Sequence, residues 1–578
     1  MRMTNQSKGR AGHGYALMLT MLLIAVTMIV LGSVVSLTST GSRLTARNNL
    51  YNTTVAAAEA GTERVLAEIN RDFSHQSVHT DLALYEVLLP DQSDWPQQFG
   101  YSDGAGNADH TGLTNLGPTV VANLNSQFQG LYGLVSPFRV ISRAAPINQG
   151  HDLSATVVQD FQLARIPIFQ YAIFYSLDLE INPGAPMVVR GKVHSNGKIY
   201  AAPPASLDFK DVVTAVDTIE NNRHPNDPTG GGKTMPNYKD KLEKVSSLVL
   251  PIGTNNSPVA VQQILDPPPA GEDSNSSLGK QRFYNQADLI ISNSPSGVVS
   301  INSGAWNNFE PIEPNAGSSY SFVTNVAFYD YRERKTVQAT EINVGKFNAW
   351  LADTSAKGGS TLNAKAKLRM SHDLNSAYAI DKRPTTGSST PAVRITNGEK
   401  LPDDGFTVAT PAPLYVKGHY NLNNGDKSVG LTNTASTKPA ALIGDAVTIL
   451  SDNWKDSYTS GTSIGSRQPV NTTVNAAILA GIVESQKING TKYYSGGVEN
   501  FPRFLEDWGG ESLTYNGSMV VMFPSRFATG LWSYGSTYTA PNRRWAFDFN
   551  FLSQDRLPPL TPQVSKLVRG QWRVVASN

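Results

Sequence analysis

Cysteine is missing altogether from the 578 residues. Its absence excludes a disulfide framework, a thiolate metal site and cysteine catalysis. It says little about compartment, because a chain of this size buries a sizeable core without cross-links. Charge is also scarce. Only 16% of residues are charged, and 48 basic against 47 acidic side chains leave a net charge of +1. That balance gives no electrostatic case for nucleic acid or for acidic substrates. No His-Glu-x-x-His occurs, and the histidines are scattered at 13, 75, 79, 110, 151, 194, 224, 372 and 419. Long apolar runs are absent too, with one exception near the N-terminus.

That exception is Tyr15 to Leu37, which contains no charged residue. Its polar members Thr20, Thr27, Ser33 and Ser36 are small enough to return their hydroxyls to the preceding helical turn. As a helix its roughly 23 residues reach about 34 Å, enough to cross a hydrocarbon core of about 30 Å. The residues before it carry Arg2, Lys8 and Arg10 and no acid. Three readings compete. A cleaved secretory signal has a shorter apolar core, and Ser36-Leu37-Thr38 or Thr38-Ser39-Thr40 would be a poor cleavage site. A plain single-span anchor is the second, with Arg43 and Arg47 beyond the span leaving orientation weakly specified. The third follows from the junction Gly12-His13-Gly14-Tyr15-Ala16-Leu17.

A short basic leader, a glycine, an aromatic residue and an apolar helix resemble a type IV prepilin N-terminus cut after Gly14, with Gly14 and Tyr15 as the processing residues. Further along, Thr53-Thr54-Val55-Ala56-Ala57-Ala58-Glu59-Ala60-Gly61 is similar to the A-A-E-A segment of PilX-type minor pilins. The resemblance implies one long helix running into a head, with Leu17, Leu19, Leu22 and Val26 facing lipid or neighbouring helices. It also implies a prepilin peptidase, the bacterial inner membrane and other pilin or pseudopilin subunits as partners, and a final place at the cell surface or in a pilus. It implies no cofactor. Periodicity agrees with a long rod: Leu44, Tyr51, Ala58 and Val65 recur every seven residues, with Val55 and Ile69 on the adjoining stripe. Gly41 and Gly61 each weaken such a helix by up to about 1 kcal/mol. Major pilins carry glutamate at the fifth mature position, where this chain has Leu19. The departure points to a minor subunit.

The remainder, with 48 Gly and 34 Pro over the whole chain, reads as an exported, mostly β body. The expected fold class is α+β, mostly β. Residues 1–14 are the leader and 15–72 the transmembrane and pilin-like helix. Residues 73–165 form a small α/β head, in which short helices are expected over 81–89 and 119–127. Its clearest signal is a hairpin of 132–143 and 153–166 around Asn148-Gln149-Gly150-His151-Asp152. Residues 166–410 form a β-rich region with a loop insertion at 203–280. Residues 411–578 form a C-terminal domain whose strands at 413–420, 440–450, 474–483 and 518–523 are separated by about 20–35 residues. That spacing fits a parallel β-solenoid with loop insertions better than a sandwich.

Several motifs invite chemistry and are met by a plainer account. His194 in Val193-His194-Ser195-Asn196-Gly197 reads as a turn-flanking histidine bonded to backbone. Thr229-Gly230-Gly231-Gly232-Lys233-Thr234 resembles the end of a phosphate loop, yet its first glycine is Asp227 and no strand leads into it. Gly461-Thr462-Ser463-Ile464-Gly465 spells a nucleophile elbow but sits in a loop with Pro469 just beyond. Asp403-Asp404-Gly405 and Asn423-Asn424-Gly425-Asp426 lack the spaced acids of a calcium loop. Aromatic residues crowd the C-terminal third from Trp508 to Trp572, where burial is the commoner fate and sugar or surface adhesion the alternative. The expectation is a non-enzymatic, low-copy subunit of a type IV pilus or related secretion filament, in assembly, at the tip or in surface adhesion, with neither metal nor cofactor and with its surface ligand unknown. The alternative is a single-span membrane-anchored surface or periplasmic adhesin outside any filament.

Overall fold

A computed structural model describes residues 13–75, 78, 81–124, 128–147, 153–230 and 234–575. The leader 1–12, the phosphate-loop residues 231–233 and the hairpin loop 148–152 therefore lie outside the described residues. Helix α1 spans His13–Ser74, 62 residues without a break. Most of the rest is strand, and the whole is about 22% helical and 34% strand, so the class is α+β and mostly β.

The head sheet is antiparallel and built on two long strands, β2 (Tyr132–Pro146) and β3 (Ala155–Pro167), with β1 (Phe99–Ser102) pairing β2. In β2, Phe138, Val140, Ser142 and Ala144 alternate inward, as a half-buried strand requires. Phe138 and Phe161 are directly paired in register and stack with ring centroids 5.5 Å apart. Helix α1 lays Ala57, Ala58, Val65, Leu66, Ile69 and Phe73 on this face, all nearly fully buried. Two expected helices differ. The first shortens to Ala83–Glu86. Val120–Asn123 is a strand paired with β2, because its β-branched residues serve a ladder better than a helix turn.

Beyond the head, the body is laid down in coils. Strands β4 (Ile173–Tyr175), β5 (Met187–Val189), β6 (Val193–Ser195), β7 (Leu207–Ala215) and β8 (Asn237–Leu242) come first. Then come β9 (Leu289–Asn293), β10 (Lys335–Asn343), β11 (Ser376–Asp381), β12 (Ser389–Gly398), β13 (Thr407–Ala409) and β14 (Leu414–Tyr420). The last are β15 (Ala441–Gly444), β16 (Thr472–Asn475), β17 (Ala477–Ala480), β18 (Ser512–Gly517), β19 (Met519–Val521) and β20 (Asn542–Phe547). Two sheets share them. The first runs β8-β7-β6-β4-β19-β17-β15-β13-β11-β9, all parallel. The second runs β10-β12-β14-β16-β18-β20, also parallel. From β10 onward each pass of the chain places strands in both sheets, and Val447–Leu450 and Arg503–Phe504 join the second sheet beside its main run.

The register explains why the stack holds. Leu289, Ala377, Val408, Leu442, Ile478, Met519, Ile173, Val193 and Val213 follow one another across nine neighbouring strands, each at most 5% exposed. In β4, β6, β13, β15, β17 and β19 every successive residue is buried, so this part of the sheet is covered on both faces. Corners between the two sheets are held by asparagines. Asn421 and Asn475 exchange bonds from each Nδ2 to the other's carbonyl at 2.8 Å, and Asn516 Nδ2 donates to Asn475 Oδ1 at 2.8 Å.

Three expected boundaries are corrected. Residues 203–280 are not simply an insertion, because β7 and β8 are rungs of the first sheet. The division at 410/411 is not a break, because β13 pairs β15 and β12 pairs β14 across it. The unit 411–578 loses its end: Gln563–Val575 leaves the body and pairs antiparallel with β3 in the head sheet. Val564 and Val568 are buried there, and that burial decides where the strand goes.

Candidate functional site: the exposed half of the N-terminal helix

Helix α1 is two helices in chemical terms. Beyond Thr53 it is the head's core element. From Tyr15 to Thr53 every side chain is exposed except Leu50, which is half-buried. Leu17, Leu19, Leu22 and Val26 are 66%, 69%, 66% and 51% exposed. The mean hydropathy of the apolar window is 2.5, and none of it is buried within the chain. Leaving a Leu or Ile in water costs about 1.5–3 kcal/mol, so the run as a whole holds burial energy on the order of tens of kcal/mol, realised only against lipid or another apolar surface.

Polar groups inside this stretch are neutralised locally. Thr20 Oγ1 donates to Leu17 O at 2.9 Å, Thr27 Oγ1 to Leu23 O at 2.8 Å and Ser33 Oγ to Ile29 O at 2.8 Å. Thr38 and Thr45 do the same to Val34 and Gly41. Over residues 15–37 the helix therefore presents an almost purely apolar cylinder, long and apolar enough to cross a membrane by length and composition. His13 and Gly14 are in helical conformation, so the junction 14/15 sits at the start of this cylinder.

The heptad stripe is divided between the two halves. Ala58, Val65 and Ile69 pack on the head and Val55 is half-buried, whereas Leu44 and Tyr51 are 57% and 39% exposed. The helix runs between them without a break. Gly61 shows how closely the docked half lies. A Cβ at this position would run into the Ser142 hydroxyl and lie 3.1 Å from both Ser142 Cβ and Tyr101 Cε1. Tyr101 in turn donates its hydroxyl to Ala57 O at 3.2 Å. Helix propensity alone favours Gly61→Ala by up to about 1 kcal/mol; the contact reverses the sign. The expected outcome is a net loss of about 1–2 kcal/mol, read as faster amide exchange over 54–73 in the variant. A gain in protection would show that the head tolerates the extra carbon. Glu63 and Arg569 tie the helix to the C-terminal strand by a two-pronged ion pair, Oε2 lying 2.6 Å from one guanidinium nitrogen. The Arg569 bond holds the Glu63 carboxyl below its usual range.

Other sequence candidates end elsewhere. His194 is 2% exposed and bonds side chains, not backbone: Nδ1 lies 2.8 Å from Thr214 Oγ1, and Nε2 donates to Asn196 Oδ1 at 3.0 Å. Burial pushes its pKa down to about 4. Ser463 of the Gly-x-Ser-x-Gly segment lies in a surface loop with its hydroxyl 3.0 Å from Ser466 Oγ. Asp403 pairs with Lys438, and Asp404 Oδ2 accepts from the Asp373 N–H. Half of the C-terminal rings are buried, among them Trp508, Tyr515, Phe523 and Phe547, whereas Phe527, Tyr534, Phe549 and Trp572 are exposed.

One cluster has no sequence signal. Glu399, His419 and Asp452 bring potential ligand atoms within 4.8 Å of one another although 53 residues separate the outer pair. The ring nitrogen decides its character. The Thr473 N–H donates to His419 Nδ1 at 3.1 Å, so the neutral ring carries its proton on Nε2, which points to Asp452 at 4.0 Å. A metal needs that lone pair free. Glu399 is itself taken up in an exposed ion pair with Lys427 at 2.6 Å.

Glu506 is a buried acid with a measurable signature. It is fully buried, takes the Ser451 N–H and hydroxyl at 2.7 Å each, and burial pushes its pKa up to about 7. The folded state thus holds this proton more tightly than the unfolded chain. Its contribution is fully present below the unfolded value near 4.5 and is lost as pH rises through about 7. Glu506→Gln removes the titration, and its oxygen can accept from the Ser451 N–H while the Ser451 hydroxyl turns to accept from the amide. Thermal unfolding from pH 5 to 8 is expected to show a flatter profile in the variant, which becomes the more stable protein by roughly 1–3 kcal/mol at pH 8. Parallel profiles for the two proteins would contradict this.

No protein-family model matches the chain, and no curated protein matches it. Among solved structures, the competence-associated pilin ComZ from Thermus thermophilus is similar at 10% identity and a TM-score of 0.28, over 91% of this chain and 97% of that one. At that identity and score, the functional reading rests on this chain's own residues.

Proposed function

We propose that the protein is a membrane-inserted, prepilin-like structural subunit whose large β body, wound as a parallel solenoid, is carried at or near a type IV pilus or related secretion filament. One observation supports this above the others. A continuous helix offers a fully exposed apolar half, with its hydroxyls bonded inward, on an extension of the half that docks the head. Such a helix serves twice, as a bilayer anchor before assembly and then as a buried rod among other helices. A body of several hundred residues would crowd a regularly repeating lattice, which favours a low-copy or tip position and an assembly or adhesive role. Leu19 fits that position. A carboxylate there would need a partner to enter an apolar bundle, and a subunit that starts a filament has no earlier neighbour to supply one.

The test is the mature N-terminus. Cleavage after Gly14 leaving an N-methylated Tyr15 is the expected result. Gly14→Glu should block it, because the residue before the scissile bond must fit a tight site and glycine offers least bulk. An intact Met1 in the membrane-bound wild-type protein selects the second reading, a single-span anchored surface or periplasmic adhesin. That reading is favoured by the same exposed cylinder and needs no filament.

A further inference from the structure

The two stacks of the body meet along one seam, and the seam is closed on one face only. In the first sheet β19 pairs β4, with Met519, Val520 and Val521 opposite Ile173, Phe174 and Tyr175. On the neighbouring face the ladder stops. Among the described residues β20 pairs only β18, and β5 pairs only β7, so each of these strands has one free edge. A groove of about 330 Å³ opens between them, with Val188 on one wall, Trp545 and Ala546 on the other, and Ile173 and Met519 beneath.

Its shape and chemistry limit what can enter. One end is shut by Phe547, whose ring packs so closely on Gly191 that a Cβ there would lie 2.9 Å from it. At the groove Val188 is 45% and Phe549 55% exposed, an apolar surface with nothing covering it. Trp545 is half-buried, and its Nε1–H is buried without an acceptor among the described residues. Arg190 is the one charged side chain lining the groove; it is exposed and makes no ion pair among the described residues. Arg544, next along β20, is exposed as well. Two free strand edges, an apolar floor and a cationic mouth with no acid among its lining residues are complementary to an extended, acid-bearing chain.

We propose that the groove between β5 and β20 binds one extended peptide strand of another protein, apolar at alternating positions and carrying a carboxylate toward Arg190. Main-chain bonds to the free edges supply affinity in this mode of recognition, and alternate side chains supply specificity. A sugar would need several convergent polar side chains, and the groove has few. The inference does not depend on how the N-terminal helix is processed.

The experiment uses the full-length protein in detergent and two capped hexapeptides, Thr-Val-Thr-Val-Glu-Val and its Glu-to-Lys counterpart. Amide hydrogen exchange is followed over 187–190 and 542–547. The expected result is saturable protection confined to these two strands, with the Glu peptide binding about fivefold more tightly than the Lys peptide, the size of one exposed charge pair. In Arg190→Glu, a surface change that leaves the circular dichroism unaltered, the preference inverts; in Arg190→Gln it vanishes. The proposal is overturned by a Kd weaker than about 1 mM for the Glu peptide. It is equally overturned by indifference to peptide charge in all three proteins, or by the same protection from maltohexaose in place of peptide.

Discussion

A chain carrying Leu22→Arg and Val26→Arg is expected to be lost from the carbonate-resistant membrane fraction, while its head remains folded by near-ultraviolet circular dichroism. Val26 stands at the middle of the apolar run and Leu22 one turn before it on the same face, both more than half exposed. An arginine at the centre of a spanning helix costs about 2.5–3.5 kcal/mol on insertion scales, and the Leu or Val it replaces had contributed a few tenths in the other direction. Two such changes cost on the order of 6 kcal/mol, or about four powers of ten in partition. Snorkelling trims that figure, least for residues far from either interface. The head is insulated from the change, because its contacts with α1 begin near Thr54, some 28 residues beyond Val26. Retention of most of the doubly substituted protein in washed membranes would mean that something other than this helix holds it there.

The same separation explains what was readable in the residues and what was not. A charge-free apolar run announces a helix that must be covered, and its predicted span, 15–72, lies within two residues of the observed α1 at each end. The head hairpin was legible from two β-branched runs on either side of a loop containing Gly150. The body strands at 413–420, 440–450, 474–483 and 518–523 were legible as buried but not as bent. The run from Ala440 to Leu450 is two strands, β15 and Val447–Leu450, with Asp445 and Ala446 turning the corner between them. The run from Val474 to Val483 likewise turns at Ala476, between β16 and β17. Continuous apolarity reports burial on both sides of a corner equally, so it cannot mark the corner. The order of the coils was hidden as well. The chain starts at β4 in the middle of the first sheet, winds outward to β8, crosses to β9 at the far end and winds back until β19 meets β4. Nothing local distinguishes that path from a simple progression, because each rung offers its neighbours the same kind of apolar row. The return of Gln563–Val575 to the head is a pairing across some 400 residues, and it too has no local signal.

Asp445→Ala is expected to be the most damaging single substitution in the body, lowering stability by about 3–6 kcal/mol. Asp445 is 0% exposed and sits at the corner after β15. Its Oδ1 accepts the Arg526 N–H at 2.6 Å, and its Oδ2 accepts those of Phe527 and Ala528 at 2.9 and 2.8 Å. Its own carbonyl takes the Ser525 hydroxyl at 2.9 Å and the Gly481 N–H at 3.0 Å. One residue thus joins three consecutive passes of the chain. Burial raises its carboxyl pKa, and the ring of N–H donors works against that rise, the balance expected of a carboxylate held by dipoles rather than by a counter-ion. Removing the carboxylate strands three backbone donors, each costing about 1–3 kcal/mol where buried. Asp445→Asn separates charge from shape. It keeps one acceptor oxygen and turns an amide donor toward the remaining N–H groups, so it should fall between wild type and alanine, not beside wild type. The measurement is thermal unfolding with amide exchange at 526–528. Rapid exchange confined to that loop at unchanged melting temperature would mean that the loop opens on its own. A shared fall in both, expected here, means that the carboxylate fastens successive coils to one another and that the stack melts as one unit.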